Sequence, residues 1–229
     1  MKKTIIAFGA HPDDVELSIG GFIAKLSRKG YKVIICDLTN GEPTPFGNPE
    51  IRKRESEEAA KILKAERITL DLPNRYLMDS VEARIKVAEV MREFKPEIIL
   101  THHGEDQHPD HIETRKIVQA ARFYSKLTKV DWKGEPFYPP KLLFFHASHK
   151  RKIFHPHLVI DITDTFEIKM KACDAYKSQF GFYEEKRKEF LNIIEIFNRF
   201  YGRLIGVKYG EILFIEEPLP IKSFDFLFE

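Results

Sequence analysis

The chain has 229 residues, a formal net charge of +2, 43% hydrophobic and 31% charged residues. That hydrophobic content excludes a disordered chain, and the near-neutral balance gives no electrostatic footprint for nucleic acid. No apolar run is long enough to cross a bilayer, the first apolar segment lacks a signal-peptide cleavage pattern, and Cys36 and Cys173 belong to no CxxC pair, so a soluble, reduced, cytoplasmic protein with one α/β domain over residues 1–229 is expected.

Residues 4–9 read as a first strand, a continuous apolar run of the kind covered on both faces. His11-Pro12-Asp13-Asp14 follows on a tight bend, where Pro12 biases His11 toward extended backbone and has the fixed φ of a first helical position. A helix over 17–29 carries Ile19, Phe22, Ile23 and Leu26 at helical spacing, with Gly20-Gly21 permitting close packing and Gly30 ending it. A second strand over 32–38 finishes at Thr39-Asn40-Gly41-Glu42, and a proline-rich loop leads to a charged helix over 50–64 with Ile51, Ala59, Ile62 and Leu63 inward. A third strand is expected over 68–72, and a helix over 81–94 that Asp79 or Ser80 can cap. Pro96 introduces a fourth strand over 97–101, followed by His108-Pro109-Asp110-His111 and a helix to about 124.

Beyond an irregular connection over 125–140 come strands over 142–146 and 158–162, separated by the basic loop 149–152. A helix from Thr163 through Tyr176, a longer helix over 184–202, a strand over 211–216 and an apolar tail close the chain. This alternation predicts a Rossmann-like, mostly parallel sheet with helices on both faces and right-handed crossovers. The two His-Pro-Asp stretches fall after strands one and four, neighbours at the topological switch point where ligands bind at the C-terminal ends of strands.

Two such turns at adjoining strand ends can bring His11, Asp14 and His111 around one metal ion, with a coordination position left open. The donor set suits Zn2+ and also Fe2+, Co2+ or Ni2+. Taken singly, each motif would more often supply helix caps and satisfied loop histidines; two at neighbouring strand ends favour the metal. Two histidines and a carboxylate also form the facial triad of ferrous oxygenases, although a His-x-x-Asp spacing on an α/β scaffold argues against it. A dinucleotide-binding module is disfavoured because residues 8–21 lack the G-x-G-x-x-G loop.

Ala10-His11-Pro12-Asp13-Asp14 together with His108-Pro109-Asp110-His111 resembles the PIG-L/LmbE-like family of zinc-dependent N-acetylglucosaminyl deacetylases. Val15-Glu16, the 39–42 turn, the segment 52–55 and residues 176–180 resemble the bacillithiol-biosynthesis branch. The resemblance implies removal of the acetyl group from an N-acetylglucosamine-type glycoconjugate, such as N-acetylglucosaminyl malate or a chitobiose-like sugar. It implies Asp13 as the general base acting on zinc-bound water, His108 as the oxyanion-stabilising group and Asp110 as the residue that orients and charges that imidazole. Arg54 resembles the arginine that grips sugar hydroxyls or the attached acid. Asn40, Gly41 and Glu42 are placed in the same cleft, as are Lys177, Ser178 and Gln179, from this chain or a neighbouring subunit. A homo-oligomer is implied, a hexamer being one such form, with no nucleic acid and no membrane as partner.

Overall fold

The apolar run at the start forms strand β1 (Thr4–Gly9), and side-chain alternation along it sets the layering. The computed structural model describes residues 3–147, 153–180 and 183–220. After β1 come α1 (Asp14–Arg28), β2 (Lys32–Asp37), α2 (Pro49–Leu63), β3 (Glu66–Thr69), α3 (Val81–Phe94), β4 (Ile98–His102) and α4 (Pro109–Tyr124). The remainder is β5 (Lys141–Phe145), β6 (Leu158–Asp161), α5 (Phe166–Asp174), a 3₁₀ turn (Lys177–Phe180), α6 (Glu184–Leu204) and β7 (Gly210–Phe214). The sheet order is β3-β2-β1-β4-β5-β7-β6; the first five strands in that order run parallel, and β7 is antiparallel to both β5 and β6.

Ile5 and Ala7 pack with Val15, Ile23, Ala59 and Ala172, so α1, α2 and α5 cover one face. Ile6 and Phe8 pack with Val87, Met91, Ile117 and Tyr201, so α3, α4 and α6 cover the other. Burying each such Ile or Phe is worth about 1.5–3 kcal/mol. The helix starts follow local chemistry. Asn48 caps α2 by accepting the Ile51 N–H at 2.9 Å, Ser80 caps α3, and His108 caps α4 with Pro109 at the first helical position.

Several boundaries differ from expectation. α1 begins at Asp14 rather than residue 17, because the bend after His11 passes directly into the helix. β3 ends at Thr69 because its register is set by β2, where Asp37 pairs with Thr69; Leu70 and Leu72 extend the bonding only from their backbone N–H groups. α5 is shorter than expected, starting at Phe166 and giving way to the 3₁₀ turn. On α2 the inward face includes Arg52, Glu55 and Ser56 beside Ala59 and Leu63, whereas Ile51 and Ile62 are only half-buried. The expected basic loop 149–152 lies outside the described residues, as does the tail from residue 221 onward.

Helix α1 is interrupted at Ile19 (φ −134°, ψ 23°). The Gly21 and Phe22 N–H groups freed by the break donate to the Glu211 carboxylate on β7 at 2.9 and 2.7 Å, and Lys169 closes the arrangement with an ion pair of 2.7 Å. Helix α6 crosses β7 at Gly202, where an added Cβ would lie 2.9 Å from the Gly210 nitrogen and from the Tyr209 backbone. Helix propensity alone would favour Gly202→Ala by about 1 kcal/mol. Overpacking against backbone outweighs it, so the substitution is expected to destabilise by about 1–3 kcal/mol and lower the melting temperature by several degrees in a calorimetric scan. An unchanged or raised melting temperature would show that the crossing is looser than described.

Candidate active site

The loops after β1, β2 and β4 meet at one edge of the sheet. Leu38 and Thr39 donate their N–H groups to the Gly9 and Ala10 carbonyls at 2.9 and 3.1 Å, and Ala10 N–H donates to His102 Nε2 at 3.1 Å. Between these ties the chain turns through Asp13, whose φ of 118° is left-handed for a non-glycine residue and costs of order 1–3 kcal/mol. Arg52 holds that turn. Its Nη2 donates to Asp13 Oδ2 at 2.9 Å and to the Pro12 carbonyl, and its side chain is only 3% exposed. The guanidinium also lies over the Tyr176 ring at 5.2 Å. Tyr176 OH donates to Glu16, which pairs with Arg67, and Arg67 grips Asp37 through two bonds of 2.7 Å. Burial pushes the Asp37 carboxyl up to about 6 despite Arg67, a measure of how dry this supporting layer is.

His11, Asp14 and His111 are brought together. Asp14 Oδ1 lies 3.1 Å from His111 Nε2, and Asp14 Oδ2 lies 3.5 Å from His11 Nδ1. Donors on a tetrahedral zinc with bonds of about 2.0–2.1 Å sit roughly 3.3 Å apart, and each of these two pairs, made to different oxygens of Asp14, is close to that spacing. The outer nitrogens are already engaged: His11 Nε2 with Asp110 Oδ2 at 3.0 Å and His111 Nδ1 with Asp106 Oδ2 at 2.8 Å. His11 Nδ1 and His111 Nε2 are thus the nitrogens that could meet an ion, each imidazole steadied by a carboxylate behind it. Two sets of donors lie close enough to share one: His11, His108 and His111, and Asp14, His102 and His111. His102 Nε2, however, already accepts the Ala10 N–H.

Charge completes the fit. Burial would raise the Asp14 carboxyl, but His111 and His102 hold it well below the usual range. Burial would lower both ligand imidazoles; instead, hydrogen bonds to Asp110 and Asp14 lift His11 to about 9, and Asp14 with Asp106 lifts His111 to about 10.

His108 stands close by, with its ring centroid 4.7 Å from that of His11 and 4.6 Å from that of His111. Its Nδ1 accepts the Asp110 N–H at 3.2 Å, which places the ring proton on Nε2. Burial and the two neighbouring imidazoles push it down to about 4, so it is a neutral donor near pH 7. The Asp110 carboxylate accepts from His11 and from the Arg75 N–H at 2.8 Å, while its own N–H donates to His108 and its charge opposes the lowering of that imidazole. Burial raises the Asp13 carboxyl, Arg52 pulls it back, and the net result lies above the ordinary value.

The structure corrects the substrate-contact expectations in part. Arg54 is exposed on α2 and absent from the cavity wall, because Arg52 takes the inward position. Gly41 and Gln179 line the cavity; Asn40, Glu42 and Lys177 do not. Glu42 folds back to accept from Thr44, and Asn40 caps the Glu42 N–H. Ser178 is buried with both its N–H and hydroxyl on Glu55, a structural tie between the 3₁₀ turn and α2. Asp106 and Arg75 were not anticipated. Arg52 lies on the α2 stripe 52-55-56-59-63, the spacing of one helix face. The turn after β1 also presents two carboxylates, Asp13 and Asp14, where a dinucleotide-binding turn presents glycines to a pyrophosphate.

The chain belongs to the PIG-L family: the model described as GlcNAc-PI de-N-acetylase matches residues 6–122, just over half of the chain. It is 27% identical to the diacetylchitobiose deacetylase of Thermococcus kodakarensis, over 91% of this chain and 81% of that protein. It is also 27% identical to the probable N-acetyl-alpha-D-glucosaminyl L-malate deacetylase 2 of Bacillus anthracis, over 79% of this chain and 82% of that one. Among solved structures it superposes on the conserved protein TT1542 of Thermus thermophilus with a TM-score of 0.86 and 31% identity, covering 96% and 97% of the two chains.

If His11 and His111 hold a metal ion, binding releases the protons on both, so below about pH 9 affinity for Zn2+ falls as pH falls, by about a hundredfold per unit between about pH 6 and 8. A chelator-competition titration would show this slope; a pH-independent affinity would show that no proton is displaced from these imidazoles.

Proposed function

We propose that the chain is a zinc-dependent hydrolase that removes the N-acetyl group from an N-acetylglucosamine-type glycoconjugate. The observation that carries this reading is the Asp14 carboxylate standing between His11 Nδ1, near its Oδ2, and His111 Nε2, near its Oδ1, flanked by a strained, Arg52-held Asp13 and a neutral His108. When bound, zinc would supply a Lewis acid able to bring a coordinated water's pKa to roughly 7.

The chain's own groups carry the rest. Asp13, 17% exposed to the cavity and raised in pKa, takes a proton from the attacking water. It then delivers that proton to the departing amine nitrogen as the carbon–nitrogen bond breaks. His108 Nε2–H donates to the acetyl oxygen as negative charge develops there, a contribution typically worth about 10²–10³ in rate. Arg52 belongs to the cavity lining, and its buried Nε and Nη1 have no protein hydrogen-bond partner.

The names of the relatives support an acetamido sugar as substrate, whether its conjugate is malate, a second sugar or another group. Two free, buried cysteines support a reducing, cytoplasmic setting. No helix among the described residues is long and apolar enough to cross a membrane. A homo-oligomer is part of the same reading, supported by exposed Ile196, Phe200 and Leu204 on α6; a native mass equal to one chain at micromolar concentration would remove it.

Acetate release from N-acetylglucosamine, its malate conjugate and diacetylchitobiose tests the reaction. Zinc-loaded Asp13→Asn is expected to keep its metal and lose about 10²–10⁴ in rate. Retained activity would dismiss Asp13, and a zinc-loaded wild type that releases no acetate from any of these sugars would dismiss the reaction.

A further inference from the structure

The cavity that exposes His11, Asp13, Asp14 and His108 does not end at them. Its volume is about 680 Å³, within the range of about 300–1,000 Å³ that houses a drug-sized ligand and more than one sugar ring requires. The two ends of its lining differ in chemistry. Arg52, Arg75 and Asn74 belong to α2 and the loop after β3, beside the proposed reacting centre. The side formed by α6 and β7 is contributed by Phe190, Ile193, Ile194, Phe197, Tyr201 and Ile212. The α6 members recur in steps of three and four, so a single helical face builds this wall.

The polar groups on that side are nearly all committed. Glu211 accepts from two backbone N–H groups and from Lys169, so its charge is met and Lys169 is occupied. The Tyr201 hydroxyl accepts the Phe154 N–H. Asn198 donates its Nδ2 to the Gly210 carbonyl at 2.9 Å, but its Oδ1 is buried without a partner although the residue is 94% enclosed (6% exposed). An acceptor in that state costs about 1–3 kcal/mol unless a ligand donor meets it. Among the described residues, no lysine or arginine lines this side and His146, packed on Phe154, is its titratable imidazole, so a carboxylate placed here would lose its water and meet no permanent cation.

We infer that the α6–β7 side of the cavity receives an apolar alkyl or aryl group attached to the acetamido sugar, with a hydroxyl or N–H of that group donating to Asn198 Oδ1. This rests on the deacetylase reading and narrows it: the conjugate is apolar, not an acid such as malate.

The test is a series of 1-O-alkyl N-acetylglucosaminides from butyl to octyl on the zinc-loaded protein. Each buried methylene should lower KM about fourfold with kcat little changed. Calorimetry of the matching alkyl glucosides, which have no acetyl group to lose, should show the same step in Kd. Phe197→Ser should reduce the step to under twofold in both measurements. A KM and Kd that stay flat along the series would overturn the inference. So would a malate conjugate with a lower KM than the hexyl conjugate, which would direct attention to the basic segment 149–152. If no sugar releases acetate, the deacetylase reading falls, and the calorimetric series still decides whether this wall takes an apolar chain.

Discussion

Three carboxylates, Asp14, Asp106 and Asp110, are gathered around two buried imidazoles at one edge of the sheet, and the rest of the site answers to that concentration of charge. So much negative charge is tolerable in a dry place only if cations share it, whether protons on the histidines or a divalent ion. The requirement explains why the outer nitrogens are tied back: a ligand imidazole whose far side is fixed presents its near side in one tautomer and one direction. It also explains the separation of roles between neighbours. Asp14 is drawn into the charge cluster and held ionised, whereas Asp13, one residue earlier, turns away to Arg52 and remains easier to protonate.

Holding Asp13 there takes structure from five parts of the chain. Arg52 comes from α2, its ring contact Tyr176 from the segment after α5, and the Glu16–Arg67–Asp37 layer from α1, the third strand and the second. These are long-range ties, and the backbone strain at Asp13 survives because several of them converge on one turn. The supporting layer thus fixes where a small carboxylate points without touching the cavity itself.

How much of this the sequence disclosed depended on range. Strand β1 and helix α3 have the limits that apolar runs and a serine cap suggest, since both are set by local chemistry. The adjacency of β1 and β4 was legible from the alternation of strands and helices. Where β3 stops was not, because an edge strand takes its register from a neighbour. The convergence of His11, Asp14 and His111 was legible because the two His-Pro-Asp turns follow the adjacent strands β1 and β4. The choice between Arg52 and Arg54 was misjudged because two residues along a helix reverse the facing direction, and the charged composition of α2 hid its inward stripe. The partner of Asp110 could not be read from spacing: a side chain two residues from His108 reaches across to His11, 99 positions away.

The break in α1 has a consequence for how the protein is made. The N–H groups it frees are met by Glu211, 190 and 189 residues further along. At ribosomal speeds of about 5–20 residues per second, roughly 10–40 s separate synthesis of the broken helix from synthesis of the residue that completes it. Throughout that interval the Gly21 and Phe22 N–H groups lack the carboxylate that meets them in the folded protein, so the broken turn of α1 is completed only when β7 lies between β5 and β6.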